Sequence, residues 1–250
     1  MEKKISVIIP NFNDPRIERT LKSITSQNIN DYEIIVVEGC NDNEKTGYIY
    51  QKYKSNITVL IQEPDKGIFD ALNKGILQAK GELILLLGSD DYIPSTNSFN
   101  RLLEFYGQNN DVDGFCFNAK IINKNGKIIR NWSPSSVTSF KMKWGLLPHH
   151  FSLVLKKSIY DEVGLFELSH KDIAIDTIWL LKLANYKNLT IKRIKEYDIY
   201  MEVGGLSTGS YKSILEAFFL TMKKSKELGY KNYLFIPFIK VFSKIFQFRF

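Results

Sequence analysis

The sequence predicts an α/β fold in which a mostly parallel sheet is flanked by helices. An elaborated second half and a C-terminal amphipathic helical tail follow. Three observations carry this prediction. Apolar runs of strand length alternate with helix-periodic segments through the first 91 residues. The run 83–87 is apolar without alternation, as expected of a strand covered on both faces. A βαβαβαβ order implies parallel pairing with right-handed crossovers.

The elements follow in order. Residues 5–10 read as a first strand and 15–27 as a first helix with Ile17, Leu21 and Ile24 inward. Residues 32–37 are a second strand, 41–54 a weaker helix and 57–61 a third strand. In the next helix Ile68, Leu72 and Ile76 share one face with Ala71, Gly75 and Ala79. The fourth strand, 83–87, runs directly into Ser89, Asp90 and Asp91. From about residue 95 the texture changes. Residues 114–122 and 127–132, joined by Asn123-Lys124-Asn125-Gly126, read as a hairpin, and 173–185 as a further helix.

At 250 residues and 44% apolar composition the chain can bury one large core, read as a domain over 1–222. Cys40 and Cys116 lie far apart with no CxxC spacing, so neither a disulfide framework nor a zinc site is expected, and a reduced compartment fits. The apolar run 5–10 is too short for a signal-peptide core, and no segment approaches the length of a membrane span. The net charge of +7 is unevenly placed. Residues 223–250 hold seven basic side chains against Glu227, a surplus of six, so the rest is nearly neutral. Nucleic acid is therefore not an expected partner.

That tail is also rich in phenylalanine. Lys240, Ser243, Lys244 and Gln247 recur at helical spacing, with Phe238, Val241, Phe242, Ile245 and Phe246 on the other side. A basic amphipathic helix of this kind can lie in the headgroup layer of an anionic membrane. It can equally dock on the protein's own body with its lysines solvated.

Ligands of open parallel sheets bind beyond the carboxyl ends of the strands. There Asp90 and Asp91 either cap the next helix or meet a divalent cation, since adjacent carboxylates raise each other's pKa unless a cation compensates. Neither GxGxxG nor GxxxxGK[ST] is present, so a nucleotide would be held differently. His149, His150 and His170 lack metal-ligand spacing. His149 and His150 either line a cleft or sit on a polar strand edge. Trp132 and Trp144 either stack on a sugar or belong to the core.

Four motifs, in order, carry a resemblance. They are Ser6-Val7-Ile8-Ile9-Pro10-Asn11-Phe12-Asn13; Glu33-Ile34-Ile35-Val36-Val37-Glu38-Gly39; Glu63-Pro64-Asp65-Lys66-Gly67-Ile68-Phe69-Asp70-Ala71-Leu72-Asn73-Lys74-Gly75; and Gly88-Ser89-Asp90-Asp91. With Ala174-Ile175-Asp176-Thr177-Ile178-Trp179 and Gly204-Gly205-Leu206-Ser207, the set resembles the family 2 glycosyltransferases of the GT-A fold over about residues 4–210. The likeness is strongest to the bacterial branch that builds surface polysaccharides.

The resemblance implies a nucleotide-sugar half over about 1–95 and an acceptor half over about 96–222. The donor would be a nucleotide diphosphate sugar, with UDP favoured. Asp91 would be the principal ligand of Mn2+ or Mg2+, and Asp90 would share the metal or contact the ribose. Many relatives carry an acid where this chain has Gly88. Pro10, Asn11 and Asn13 would meet base and ribose, with Glu38 accepting from a ring N–H. Asp65, Lys66 and Asp70 would lie within reach of the same crevice, with Asn73 on the polar face of the helix. Asp176 occupies the family's general-base position, with Asp172 one turn away as competitor. In-line displacement implies inversion at the anomeric carbon. The acceptor would be a growing, lipid-linked glycan met at the cytoplasmic face of the membrane. A sugar nucleotidyltransferase would open with a glycine-rich basic loop, which Pro10-Asn11-Phe12-Asn13 is not. A non-catalytic binding module would not need both the Asp90-Asp91 pair and Asp176.

Overall fold

The computed structural model describes residues 4–42, 44–133, 136–168, 173–202 and 211–245. The first half holds β1 (Ile5–Asn11), α1 (Ile17–Thr25), β2 (Tyr32–Glu38), α2 (Gly47–Lys52), β3 (Val59–Gln62), α3 (Ile68–Gln78) and β4 (Leu83–Leu86). The second half begins with α4 (Ser98–Gln108), β5 (Gly114–Ile122), β6 (Ile128–Trp132), β7 (Val137–Thr138) and α5 (Ser139–Lys143). It continues with β8 (Leu153–Lys156), α6 (Lys157–Val163), α7 (Ile175–Asn185), β9 (Thr190–Glu202), α8 (Tyr211–Glu227) and α9 (Phe235–Ile245).

One sheet runs through both halves in the order β3-β2-β1-β4-β8-β5-β9-β7, with β6 paired to β5. The pairs β1–β2, β1–β4 and β2–β3 are parallel. Strand β8 is antiparallel to both β4 and β5, and so joins the two halves. Every residue of β1 and of β4 is buried, as the unbroken apolar run of β4 required. Because β1 to β4 are parallel, their carboxyl ends share one edge. In register, Asn11 sits beside Glu38, and Glu38 beside Gln62. All the donor-side candidates leave the sheet along that edge.

Several expectations are corrected. The expected helix over 41–54 is confined to α2, because the stretch before it is spent wrapping Glu38. Its Thr46 hydroxyl donates to that carboxylate at 3.1 Å. Trp132 is buried at the sheet edge, so it is a core side chain and not a sugar platform. Asn73 does not face solvent from α3. It is buried, its Nδ2 donates to the Phe166 carbonyl (2.8 Å), and its Oδ1 accepts from the Phe166 N–H (3.0 Å). The boundary expected at 222/223 falls inside α8, a 17-residue helix that carries Lys223 and Lys224 near its end. Asp172, His170, the 204–207 motif, Gln247 and Phe246 lie outside the described residues.

The tail packs on the body through a mixed face of α9, with Ile236 and Pro237 buried and Ile239, Lys240 and Ser243 half-buried. Ile236 is fully buried against Leu181 and Tyr230. The Tyr230 hydroxyl donates to the Leu181 carbonyl (2.6 Å), and Asn232 Nδ2 to the Lys143 carbonyl (2.9 Å). Leu234, Phe235, Phe238, Val241 and Phe242 face outward and are 45–59% exposed. Among the described residues no helix is long and apolar enough to cross a membrane.

Candidate active site

The site is built from the carboxyl edge of β1 to β4 and the start of α7. At its base-side end Glu38 is fully buried. Its Oε1 accepts from the backbone N–H groups of Asn13 (2.8 Å) and Cys40 (3.1 Å). Its Oε2 accepts from Asn11 Nδ2 (2.8 Å) and from the hydroxyls of Tyr50 (2.6 Å) and Thr46 (3.1 Å). A carboxylate offers about four lone-pair directions, and five donors fill them. The expectation that Glu38 accepts from a ring N–H is corrected: it shapes the loops after β1 and β2.

The free acid at that corner is Asp65. Its Oδ1 accepts from the Gly67 N–H at 2.9 Å, and its other oxygen lies against Gly39 so closely that a Cβ there would overlap it. Burial raises the Asp65 pKa, against the pull of the Gly67 N–H and Lys74. Buried Asn11 leaves its Oδ1 without a partner among the described residues. Pro10 is buried in β1 beside Val37, and Asn13 turns the chain with a φ of 49°. Asp70 is occupied, accepting from the Lys66 N–H (3.0 Å) and pairing with Lys74 (3.4 Å). The Lys66 side chain is exposed.

Past β4 the chain turns sharply, so that Asp91 Oδ2 accepts from the Gly88 N–H at 3.0 Å. A Cβ on Gly88 would stand 2.7 Å from that oxygen and 3.3 Å from Asp90 Oδ1. The space a side chain at position 88 would need is thus taken by this chain's own carboxylates. Asp91 is 4% exposed. Burial, then the neighbouring Asp90 charge, push its pKa up to about 8. Asp90 meets the Arg16 guanidinium at 3.1 Å. Burial raises its pKa against that pull.

A buried carboxylate with no ion-pair partner among the described residues, beside a second one, is the oxygen donor set that a hard divalent cation takes. Asp91 and Asp90 therefore fit the metal that the family resemblance implies. Among the described residues no third acid or histidine joins them into a larger metal-binding group.

The composition-based reading missed Arg16, Arg19 and Glu202. Arg19 donates to the Asp90 carbonyl (2.5 Å) and to Glu202 (2.9 Å), and it lies 4.8 Å over the Tyr92 ring. Arg16 lies 4.0 Å from Glu202 and 2.5 Å from Asp14. The available signal was positional. Arg16 and Arg19 are three residues apart at the helix start that follows β1, on the ligand edge of the sheet.

On the acceptor side Ala174 adopts φ 59°, ψ 14°, a left-handed conformation costly for a residue with a Cβ, and Asp176 follows in the first turn of α7. His150 Nδ1 lies 3.6 Å from Asp176 Oδ2, and the Thr177 hydroxyl donates to Oδ1 at 3.2 Å. Burial works to raise the Asp176 pKa, but Lys240 and His150 outweigh it and hold the carboxyl at about 2. Burial also keeps His150 below its ordinary value, against the pull of Asp176. His149 stacks on His150 at 5.1 Å, and His150 stands 6.1 Å from Phe69 of α3, which links the two halves across the crevice. The two histidines thus line the site.

Residues 6–214 match the family model described as glycosyl transferase family 2. A poly(ribitol-phosphate) beta-N-acetylglucosaminyltransferase, TarP, from Staphylococcus aureus is 25% identical over 92% of this chain and 73% of its own length. An uncharacterized glycosyltransferase of Haemophilus influenzae is 24% identical over 77% of this chain and 66% of its own length. The crystal structure of S. aureus TarS 1-349 with UDP-GlcNAc superposes with a TM-score of 0.72 at 21% identity, over 96% of this chain and 73% of that one. A Pyrobaculum calidifontis mannosyltransferase with GDP-Man and Mn2+ gives 0.64 at 16% identity, over 91% and 65%. The fold is that of the GT-A glycosyltransferases. With five-sixths of the chain inside the family's boundaries, the protein belongs to glycosyl transferase family 2.

Proposed function

We propose that this protein is an inverting glycosyltransferase that moves a sugar, N-acetylhexosamine or hexose, from a UDP-sugar to a hydroxyl of a growing, lipid-linked surface glycan. The observation that carries this reading is the ionised, half-buried Asp176 on the acceptor side of the strand-end crevice. The UDP-GlcNAc bound by TarS and the N-acetylglucosaminyl transfer named for TarP support the choice of donor.

Asn11, Asn13 and Asp65 hold the base and ribose end, on loops fixed by Glu38. Asp91 and Asp90 would hold Mn2+ or Mg2+, which when bound supplies positive charge against the charge developing on the departing diphosphate. Arg16 pairs with the Asp90 carboxylate, and Arg19 fixes the Asp90 backbone carbonyl.

The acceptor oxygen attacks the anomeric carbon from the face opposite the leaving group. The carbon–oxygen bond to the β-phosphate breaks, its electron pair stays on phosphate oxygen, and Asp176 takes the acceptor's proton. A carboxylate near pKa 2 is a weak base but is always ionised. It receives the proton late, once carbon–oxygen bond formation has made the hydroxyl acidic. In-line attack inverts the anomeric centre.

The phenylalanines of α9 and Ile214, Leu215 and Phe219 of α8 are exposed on two helices that meet through Phe218 and Phe238 at 4.7 Å, and Lys223 and Lys231 of the same segment are exposed as well. Such a surface supports peripheral contact with an anionic membrane, where a lipid-linked acceptor resides.

Asp176→Asn tests the core of this reading. Nucleotide-sugar affinity should stay within about twofold while kcat falls at least about a hundredfold. Retention of wild-type kcat would remove Asp176 from the mechanism.

A further inference from the structure

Helix α9 does more than present phenylalanines outward. Ile236 anchors its inner face, and the fit there is close: a Cβ on Gly145, at φ +87°, would overlap the Ile236 carbonyl. One turn further along the same face stands Lys240. Its ammonium donates to the hydroxyl of Thr177, and that buried hydroxyl donates to Asp176 Oδ1 at 3.2 Å. Thr177 is thus the middle of a three-residue chain that runs from the C-terminal helix to the acceptor side of the crevice.

The groups facing Asp176 come from three elements. Thr177 belongs to α7 itself, His149 and His150 come from the segment before β8, and Lys240 comes from α9. His150 is buried and its pKa is lowered, so near neutral pH it faces the carboxylate as an uncharged imidazole. At 3.6 Å its Nδ1 is too far for a strong hydrogen bond. Lys240 therefore brings the permanent positive charge. A lysine on a helix with an apolar outer face would ordinarily extend its head into water. Here it points inward.

We propose that Lys240 is a positioning residue for Asp176, so that the C-terminal helix completes the acceptor side of the active site. The ammonium keeps the carboxylate ionised and, through Thr177, fixes its orientation. The same helix turns its apolar face outward, so one element links the surface that meets lipid to the group that accepts the acceptor's proton. This rests on the reading of Asp176 as the base.

The test uses the full chain with saturating UDP-sugar, Mn2+ and acceptor, and follows kcat from about pH 4.5 to 9. Variants are Lys240→Met, Lys240→Gln, which keeps a donor for Thr177 without the charge, and Lys240→Arg. Removing the cation raises the pKa of Asp176, so its protonation enters the measured range from the acid side. Wild type and Lys240→Arg should keep kcat within about twofold between pH 8 and pH 5. Lys240→Met and Lys240→Gln should lose about threefold or more between pH 8 and pH 4.5, since loss of a neighbouring charge raises a carboxyl pKa by roughly 1–3 units and rate falls once an essential base becomes protonated. UDP-induced thermal shifts should match wild type in all three variants.

Profiles of Lys240→Met and Lys240→Gln that superimpose on wild type would overturn the proposal. So would a loss that is uniform across pH. A raised acceptor KM with an unchanged kcat profile would make Lys240 an acceptor contact instead. Asp176→Asn, measured alongside, separates the two levels. If it remains active the base assignment fails, whereas if it is inactive while Lys240→Gln behaves as wild type, only the role of Lys240 fails.

Discussion

Asp91 concentrates the electrostatics of the donor side in one carboxyl group. It is buried, touches a backbone N–H and pairs with no cation among the described residues, while Asp90 beside it meets Arg16. With Asp91 and Asp90 as ligands of a divalent ion, Mn2+ together with UDP should raise the Tm of the wild-type protein. Asp91→Asn should abolish that metal-dependent increment and donor turnover while leaving the fold intact by circular dichroism. A full metal-dependent shift in Asp91→Asn would move the ion elsewhere. At this scale the strand-end acids were legible because an apolar run ending in Asp-Asp is readable one residue at a time. The fate of Glu38 was not. Its saturation depends on Thr46 and Tyr50, whose side chains reach it only after the short helix α2 folds over the end of β2. Gly88 shows the same limit: the space a side chain would need is taken by Asp91, a fact of conformation that no spacing encodes.

Among the elements, α3 is the hinge between donor and acceptor halves. Asn73 binds both backbone groups of Phe166 across 93 residues of sequence, and Phe69 packs on Phe166 and His150. Asn73→Ala leaves a buried N–H and a buried carbonyl unpaired, each costing about 1–3 kcal/mol. Urea unfolding should therefore show a lower midpoint at an unchanged slope. A loss under about 0.5 kcal/mol would mean that Phe166 finds other partners. The helices and strands of the first half were readable from periodicity, because parallel strands buried on both faces and one-sided helices leave strong patterns. Helix α7 was placed, but the left-handed Ala174 that aims Asp176 was not. Helix α9 was found as amphipathic with its sense of docking left open, since both faces of such a helix can be satisfied. The structure turns inward the face that carries buried Ile236 with half-buried Lys240 and Ser243, and leaves the phenylalanines outside.

For the whole molecule, that orientation gives the charge distribution a use. Of the basic residues beyond 222, Lys223, Lys226 and Lys231 are exposed in the same C-terminal segment as the exposed apolar side chains of α8 and α9. Each basic residue near an anionic bilayer contributes about 1 kcal/mol, and the attraction is screened by salt. Sedimentation with phosphatidylserine-containing vesicles should retain the wild-type protein at low salt and release it as salt rises. Phe238→Asp with Phe242→Asp should weaken retention without altering UDP binding. Equal retention of the double variant would place the contact elsewhere. Two of these features were legible in sequence, the basic bias and the phenylalanine run. Their place against the second half was not, because it rests on Lys143 meeting Asn232 and Leu181 meeting Tyr230 and Ile236 across long stretches of chain.

The central claim, transfer of a sugar from a nucleotide diphosphate donor by direct displacement with Asp176 as the base, is tested most directly by mass spectrometry of products. The purified full chain is incubated with Mn2+ and a panel of UDP- and GDP-sugars, with water or a polyprenyl-linked glycan as acceptor. The account predicts release of nucleotide diphosphate from a UDP-sugar, sugar added to the acceptor in the inverted configuration, and loss of both in Asp176→Asn with donor binding retained. Pyrophosphate exchange, or no turnover with any donor despite tight nucleotide binding, would contradict it.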